Sequence, residues 1–318
     1  MMNADCSRKG VNNLMMMIFI VMMVAIAGCG DGKGAGRGLT GLDSITGGTI
    51  RISVDESFKP VIDSQIKVFE SLYPDAKINV DYKPEAECLR DLTNDSVRMI
   101  IVTRAITRDE EKIITDRYQF KPAFGPLAVD AVAVIVNNKS EDSLFKISEI
   151  QDMVKGTSEK YKYKVLLDGT SATSTVRFVR DSLLKGGTLS KNVFAAPNSK
   201  GVIEYVSRNN DAIGMIGVSW IGNQDDTAQL SFLKNVKMGQ LECRGCTGTY
   251  VQPYQANIAL GRYPMVRPLY YVLKENYKGL GSGFTNFLVY EKGQLIFRRA
   301  YLVPARMSFE VRNMSITN

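Results

Sequence analysis

The chain has no histidine among its 318 residues. This absence removes Ser-His-Asp and Cys-His catalysis, histidine general bases and the commonest zinc ligand. The sequence also shows neither a nucleophile with its base nor a tight cluster of acidic metal ligands. We therefore expect a protein that is not an enzyme and needs no cofactor. Its 45% hydrophobic and 23% charged residues are typical of a folded globular chain.

Cysteine is also scarce, with five in the whole chain. Cys6 and Cys29 lie in the N-terminal region, which leaves Cys88, Cys243 and Cys246 for the folded part. A zinc site would need a carboxylate in addition to these three thiolates. In an extracytoplasmic compartment a disulfide between Cys243 and Cys246 is favoured over zinc, and free thiols are the other alternative. The residues after this pair indicate extended chain, which argues against a thioredoxin-like redox motif at a helix N-terminus.

The N-terminal apolar run is too short for a membrane span. It covers residues 14–28, follows the basic pair Arg8 and Lys9, and ends in IAGC at residues 26–29. A span needs about 20 residues, so a secretory signal over residues 1–28 is favoured over a buried core helix. The ending is similar to the lipobox of bacterial lipoproteins. That similarity implies lipidation of Cys29 and a lipid-anchored protein of the periplasm or cell envelope.

The residues after Cys29 are rich in glycine and small polar side chains, which indicates a flexible tether over residues 29–48. We expect the folded part to begin near Thr49. Removal of residues 1–28, which hold two basic residues and one acidic residue, changes the net charge from +7 to +6. This mild excess weakly favours anionic ligands or surfaces.

From residue 49 onward, short strands alternate with helices. The segments that read as strand then helix include TIRISV with VIDSQIKVFESLYP, KINVDY with PEAECLRDLTN, VRMIIVT with RDEEKIITDRY, and YKVLLDG with STVRFVRDSLLKGG. This alternation predicts an α/β fold with a largely parallel sheet. The apolar run VDAVAVIVNN, residues 129–138, predicts a buried strand that carries the chain between two lobes. We expect lobe 1 over residues 49–128, lobe 2 over 129–250 and a return to lobe 1 over 251–318, with a hinge and a ligand cleft between them.

The segment DGTSATSTVRF, residues 168–178, places five hydroxyls in six positions directly before a helix-like run. Hydroxyls and free N–H groups at a helix N-terminus form a donor shell suited to an oxyanion. An ordinary N-cap with surplus threonines is the structural alternative.

Several segments resemble, in order and spacing, the phosphate-binding proteins of Pst-type ABC importers, which have the type II periplasmic-binding-protein fold. They are VDESFKPVID, VTRAIT, PLAVDAVAVIVNN, DGTSATS, DAIGMIGVSW, RYPMVRPLYYVL and FTNFLVYEKGQLIFRRAYLVPAR. The resemblance covers about residues 48–306. It implies two lobes that close on a dehydrated phosphate, using hydroxyls, backbone N–H groups, an arginine and an acidic acceptor.

The resemblance also implies site residues. The positions that match the ligand-binding turns are Ser57, Phe58, Thr103, Arg104, Thr170, Ser171 and Thr173. Arg104 would grip two anion oxygens, and its alternative role is that of a surface arginine. Ser57 and Phe58 have an N-cap and hydrophobic staple as their alternative.

Two departures from the family pattern bear on the identity of the anion. Arg98 stands where many relatives have an aspartate, and Leu166 stands where some have an arginine. Phosphate carries a proton near neutral pH and sulfate does not, so an acidic acceptor in the site would select phosphate. Glu85 and Glu87 are candidate acceptors, and acids that complement a helix N-terminus are the alternative interpretation of both.

We therefore expect a monomeric extracytoplasmic lipoprotein that captures inorganic phosphate and delivers it to ABC permease and ATPase subunits, without binding nucleic acid. The alternatives are a binding protein for another tetrahedral oxyanion such as sulfate, or a surface scavenger without a transporter. The fold alone does not decide among them.

Overall fold

The computed structural model describes residues 43–169, 172–223 and 225–306. Its strands are β1 Gly48–Asp55, β2 Ala76–Lys83, β3 Met99–Val102, β4 Ala123–Asn137, β5 Leu144–Phe145, β6 Lys164–Leu167, β7 Val193–Ala195, β8 Ala212–Gly217, β9 Val236–Met238, β10 Gln240–Cys243, β11 Cys246–Val251, β12 Val266–Leu273 and β13 Val303–Pro304. Its α-helices are α1 Lys59–Leu72, α2 Glu85–Arg90, α3 Arg108–Tyr118, α4 Ile147–Lys155, α5 Ser174–Phe178, α6 Ser199–Arg208, α7 Thr227–Leu233, α8 Gln255–Ala259, α9 Leu280–Val289 and α10 Glu291–Arg299. Single 3₁₀ turns lie at Glu56–Phe58, Asp91–Thr93 and Val218–Trp220, and a π-helical turn at Val179–Leu183 continues α5.

The large sheet has the strand order β2-β1-β3-β12-β4-β8-β6-β7, with β9 and β13 also paired to β4. Strand β1 is parallel to β2 and β3, and β6 is parallel to β7 and β8. Strand β12 is antiparallel to both β3 and β4, and β4 is antiparallel to β8. The predicted parallel sheet is therefore present in the two outer groups of strands, and antiparallel strands join them.

The long strand β4 connects the two groups. Its first part pairs with β12 and β13, and its second part pairs with β8 and β9. Residues 131–136 are fully buried, as the apolar run predicts. The predicted lobe boundary at Val129 falls inside this strand. We keep the name lobe 1 for the part built on β1–β3 and β12, and lobe 2 for the part built on β6–β8.

Helix α1 shows how the local sequence sets an element. Pro60 stands in its first turn, where no N–H donor is needed, and Asp55 accepts a hydrogen bond from Ser57 N in the 3₁₀ turn before it. Ile62, Ile66 and Phe69 lie on its buried face at helical spacing. The helix therefore begins where a polar turn ends, and it packs against the sheet.

The packed part of the chain begins no later than Asp43. Arg98 Nη1 donates to Asp43 across 2.7 Å and to Glu275 across 2.8 Å, and Leu280 N also donates to Asp43. The last six residues of the predicted tether, 43–48, are thus part of the fold, and the boundary lies earlier than Thr49. The tether prediction missed this because glycine-rich composition does not reveal a partly buried ion pair with a partner 55 residues away.

The cysteines divide as the sequence suggests. Cys243 and Cys246 are joined by a disulfide between β10 and β11, and their Cα atoms are 5.1 Å apart. Cys88 is a buried free thiol, and burial raises its pKa. Within residues 43–306, as far as they are described, no helix is long and apolar enough to cross a membrane. The predicted signal sequence and Cys29 lie outside the described residues.

Candidate functional site

A buried polar cluster lies where the two lobes meet, and the Asp168 carboxylate is at its centre. Oδ2 of Asp168 accepts hydrogen bonds from Ser57 Oγ at 3.1 Å, Thr175 Oγ1 at 2.9 Å and Ser199 Oγ at 3.3 Å. Oδ1 accepts from Thr173 Oγ1 at 2.9 Å. We call Ser57, Thr173, Ser174, Thr175 and Ser199 the hydroxyl cluster; all five are buried. Their hydroxyls come from both lobes; four of them bond to the Asp168 carboxylate, and Ser174 lies beside Ser57 with their oxygens 3.3 Å apart.

Strand ends place these side chains. Strand β1 ends at Asp55 and leads directly to Ser57, while β6 ends at Leu167 and leads to Asp168. Thr173 caps α5 by accepting a hydrogen bond from Val176 N. Because β1 and β6 are the parallel strands of their groups, their carboxyl ends lie at the edge where ligands bind in α/β folds.

Arg267 is the basic residue of this cluster, and it is fully buried at 3% exposure. Its Nε donates to Asp130 at 2.8 Å, and its Nη1 donates to Ser174 at 2.9 Å and to Thr175 at 3.3 Å. The guanidinium also lies 5.1 Å from the centre of the Phe58 ring. Nη2 has no hydrogen-bond partner in the part of the chain that the structure describes. A buried donor of this kind is rare, and it indicates a place for an external acceptor.

The absence of a side chain at Gly217 allows Arg267 and the Ser57 carbonyl to lie close to strand β8. A Cβ at this position would lie 3.1 Å from Arg267 Nη2 and 3.1 Å from the Ser57 carbonyl oxygen. Strand β8 of lobe 2 therefore touches the first turn of lobe 1 through a residue without a side chain.

Acidic groups outnumber basic groups in this region. Burial, with a further contribution from Glu85, raises the pKa of Asp55 to about 7, although Arg267 opposes the change. Burial also raises the pKa of Glu56 to about 7, against hydrogen bonds from Ser199. Burial raises the pKa of Asp130 as well. Among the described residues, no group of three acidic or cysteine side chains has the geometry of a metal site.

A second polar group, which we call the Glu85 cluster, joins the lobes beside the first. It consists of Glu85, Thr103 and Arg177. Glu85 accepts hydrogen bonds from Thr103 N at 2.8 Å, Thr103 Oγ1 at 2.6 Å and Arg177 Nε at 2.6 Å. Arg177 Nη2 also donates to Thr103 Oγ1 at 2.7 Å. Burial alone would raise the pKa of Glu85, but the hydrogen bonds from Arg177 and Thr103 outweigh it and lower the pKa.

The predicted site residues divide among several places. Ser57 and Thr173 belong to the hydroxyl cluster, Phe58 lies against Arg267, and Thr103 belongs to the Glu85 cluster. Thr170 and Ser171 lie outside the described residues. The neighbouring Ala172 accepts a backbone hydrogen bond from Ala86 N across the cleft at 3.0 Å.

Four other positions named in the sequence analysis belong to neither cluster. Arg104 is half-buried and donates two hydrogen bonds to Glu110, at 2.8 and 2.6 Å, instead of joining either cluster. Glu87 is exposed in the first turn of α2, where its charge complements the helix dipole. Arg98 lies at the opposite end of β3 from Thr103 and binds Asp43. Leu166 is buried in β6.

Sequence reasoning missed Asp168, Arg177 and Arg267. All three stand inside the motifs quoted above, DGTSATS, STVRF and RYPMVRPLYYVL. Arg267 in an otherwise apolar strand was the available signal, because an arginine in a central strand must have a buried partner.

Comparisons with known proteins identify the family of this chain. Residues 43–292 match the family model described as a PBP superfamily domain. The chain belongs to the PBP superfamily. It is 24% identical over 265 residues to the phosphate-binding protein PstS of Pseudomonas aeruginosa. The aligned region covers 76% of this chain and 78% of that protein.

Two solved structures share this type II periplasmic-binding-protein fold. One is a putative phosphate ABC transporter substrate-binding protein with bound phosphate from Clostridium perfringens. Its TM-score is 0.67 at 20% identity, with 81% of this chain and all of that chain covered. The other is an ABC-type phosphate transport receptor from Vibrio cholerae, with a TM-score of 0.56 at 16% identity, covering 80% of this chain and 99% of that one. The predicted fold class is therefore confirmed, and the family model confirms membership of the PBP superfamily.

Two arginine–glutamate pairs, one that joins the lobes and one within lobe 1, give a matched test of what holds the lobes together. Arg177 and Arg104 have similar side-chain exposure, 30% and 27%, but only Arg177 reaches across to the other lobe. We expect Arg177→Ala to lower the free energy of unfolding by about 1–2 kcal/mol and to increase the radius of gyration, because buried Glu85 loses its charged partner. Arg104→Ala should cost less than about 1 kcal/mol and leave the radius unchanged. Urea unfolding measures the free energy of unfolding, and small-angle X-ray scattering measures the radius of gyration. Equal effects of the two variants would contradict the role of Arg177 in joining the two lobes.

Proposed function

We propose that this protein is an extracytoplasmic substrate-binding protein that captures inorganic phosphate and delivers it to an ABC importer. The proposal combines membership of the PBP superfamily with relatives that are named for phosphate binding. It also rests on the donor groups that converge between the two lobes of this chain. No step of bond breaking is needed for such a role.

The observation that carries the proposal is the position of Arg267. Its guanidinium is buried among hydroxyls, and Nη2 is unpartnered in the described part of the chain. A guanidinium binds tetrahedral oxyanions through charge-assisted hydrogen bonds, which are about twice as strong as neutral ones. Ser57 on lobe 1 and Ser174 on lobe 2 add hydroxyl donors, and their oxygens are 3.3 Å apart. A tetrahedral anion held here would contact both lobes.

Asp55 is a better candidate acceptor for the proton of phosphate than Glu85. Both oxygens of Glu85 already accept hydrogen bonds, from Thr103 and from Arg177. In contrast, Asp55 Oδ2 is buried and has no partner among the residues described. A carboxylate facing the ligand accepts a hydrogen bond from protonated phosphate and is left unpaired beside sulfate, so it favours phosphate.

Calorimetric titration of the purified protein, freed of bound anion, tests this function. We expect saturable binding of one phosphate per chain, and at least tenfold weaker binding of sulfate. Arg104→Ala is the matched control and should bind phosphate as the unmodified protein does. If millimolar phosphate produces no heat and no thermal shift, the proposal is ruled out. If sulfate binds more tightly than phosphate, sulfate takes the place of phosphate as the ligand.

The cellular setting follows from the same proposal. The lipobox-like IAGC would place a lipid on Cys29, and residues from Cys29 onward would tether the protein to the membrane beside permease and ATPase subunits. Mass spectrometry of the membrane fraction tests the anchor, because a Cys29→Ala variant should lose both the lipid mass and membrane attachment. We propose that the protein acts as a monomer with a hinge between its lobes.

A further inference from the structure

The hydrogen bonds of Asp168 are those that a bound oxyanion would make. Its two oxygens accept four hydroxyl hydrogen bonds, from Ser57, Thr173, Thr175 and Ser199. A carboxylate has about four acceptor positions, so these donors satisfy it fully as an anion. Asp168 itself is 3% exposed. The carboxylate therefore uses most of the hydroxyl donors at the junction of the lobes.

Local turn geometry does not explain this arrangement. Thr173 and Thr175 are within seven residues of Asp168, as in an ordinary capped turn. Ser57, however, is 111 residues away on the other lobe, and Ser199 is 31 residues away on α6. A side chain that only stabilised its own turn would have no need of these two distant donors.

The charges around Arg267 also indicate that Asp168 opposes the binding of an anion. Arg267 is bound to Asp130, so its positive charge is already shared with one carboxylate. Asp55 and Asp168 add two further buried carboxylates close to it. An anion that entered with Asp168 ionised in place would be a like charge in a region of low dielectric constant, and that repulsion is costly.

We propose that Asp168 is an internal competitor of the ligand, which holds the hydroxyls of both lobes and so sets the affinity for the anion. This inference rests on the proposed oxyanion-binding function. When phosphate binds, Ser57 and its neighbours must exchange the Asp168 carboxylate for phosphate oxygens. The affinity of the protein is therefore lower than its donor set alone would give.

The Asp168→Asn variant tests the inference because it removes the charge and keeps the shape. Calorimetry at pH 7.5 should show phosphate binding at least tenfold tighter than in the unmodified protein. Asp168→Glu keeps the charge and should show no such gain. Glu204→Gln removes an exposed acid on α6 and should change affinity by less than twofold. If the asparagine variant does not fold, as judged by its melting curve, Asp168→Ala provides the same measurement.

The outcomes separate this inference from the function on which it rests. If the unmodified protein binds phosphate and Asp168→Asn binds it equally or more weakly, Asp168 is not a competitor, while the phosphate-binding function stands. If neither protein binds phosphate, both proposals are overturned. A gain in Asp168→Glu equal to that in Asp168→Asn would show that charge is not the cause.

Discussion

Replacing Arg267 with alanine should lower the free energy of unfolding by about 3–5 kcal/mol and abolish phosphate binding. The reason is Asp130, which is fully buried and accepts a hydrogen bond from Arg267 Nε at 2.8 Å. Without the guanidinium, the carboxylate is left as an uncompensated charge inside the protein, or must take up a proton. Equilibrium urea unfolding at pH 7.5 measures the first effect, and calorimetry measures the second.

Two controls separate the loss of the ion pair from the loss of side-chain volume. In Arg267→Met combined with Asp130→Asn, both charges are gone, so at least half of the lost stability should return. Arg262→Ala removes an exposed arginine five residues earlier and should change the free energy of unfolding by less than about 0.5 kcal/mol. A loss of no more than about 1 kcal/mol in Arg267→Ala would contradict a buried pair that stabilises the junction of the lobes.

Much of the fold could be predicted because its signals are local. The alternation of residues 49–54, the polar turn at Asp55 and the proline at position 60 predict a strand, a break and a helix, and β1 and α1 follow that order. The apolar run 129–138 predicts a buried strand because few other structures bury so many consecutive side chains. These features depend on neighbours in the sequence, so periodicity and turn chemistry are sufficient to find them.

The partners in the candidate site could not be predicted in the same way. Arg104 and Arg177 are both arginines close to a hydroxyl-bearing motif, but Arg104 pairs with Glu110 six residues away and Arg177 pairs with Glu85, 92 residues away. Which arginine reaches the cleft depends on how α5 and α2 pack across it. Likewise, the sequence predicts Asp168 only as part of an Asp-Gly turn, and two of its four hydroxyl partners, Ser57 and Ser199, reach it only through folding.

Acidification from pH 8 to pH 5 should stabilise the folded protein, in contrast to a protein whose buried acids form only salt bridges. The pKa values of Asp55 and Glu56 are each raised to about 7 by burial. Between about pH 4 and pH 7, these acids hold protons in the folded state and release them in the unfolded chain. The folded state therefore binds more protons, and the stability gained is lost as the pH rises through about 7.

Few other groups titrate in that window. The chain has no histidine, which would ordinarily dominate it. Glu85 and Asp91 have lowered pKa values, so their contributions are lost only below about pH 5. The pKa of Lys274 is lowered to about 8 by burial, so its effect falls at the alkaline end. Burial also raises the pKa of Asp130, which would add to the same trend as Asp55 and Glu56.

The expected gain from pH 8 to pH 5 is about 2–4 kcal/mol in the free energy of unfolding, or a rise of roughly 5 °C or more in the melting temperature. Differential scanning calorimetry over this range measures it. Asp55→Asn keeps a side chain that can accept the hydrogen bond from Ser57 N, and combined with Glu56→Gln it should remove most of the pH dependence. Glu87→Gln, an exposed acid on α2, should leave the profile unchanged. A melting temperature that stays constant or rises from pH 5 to pH 8 would show that Asp55 and Glu56 are ionised in the folded protein.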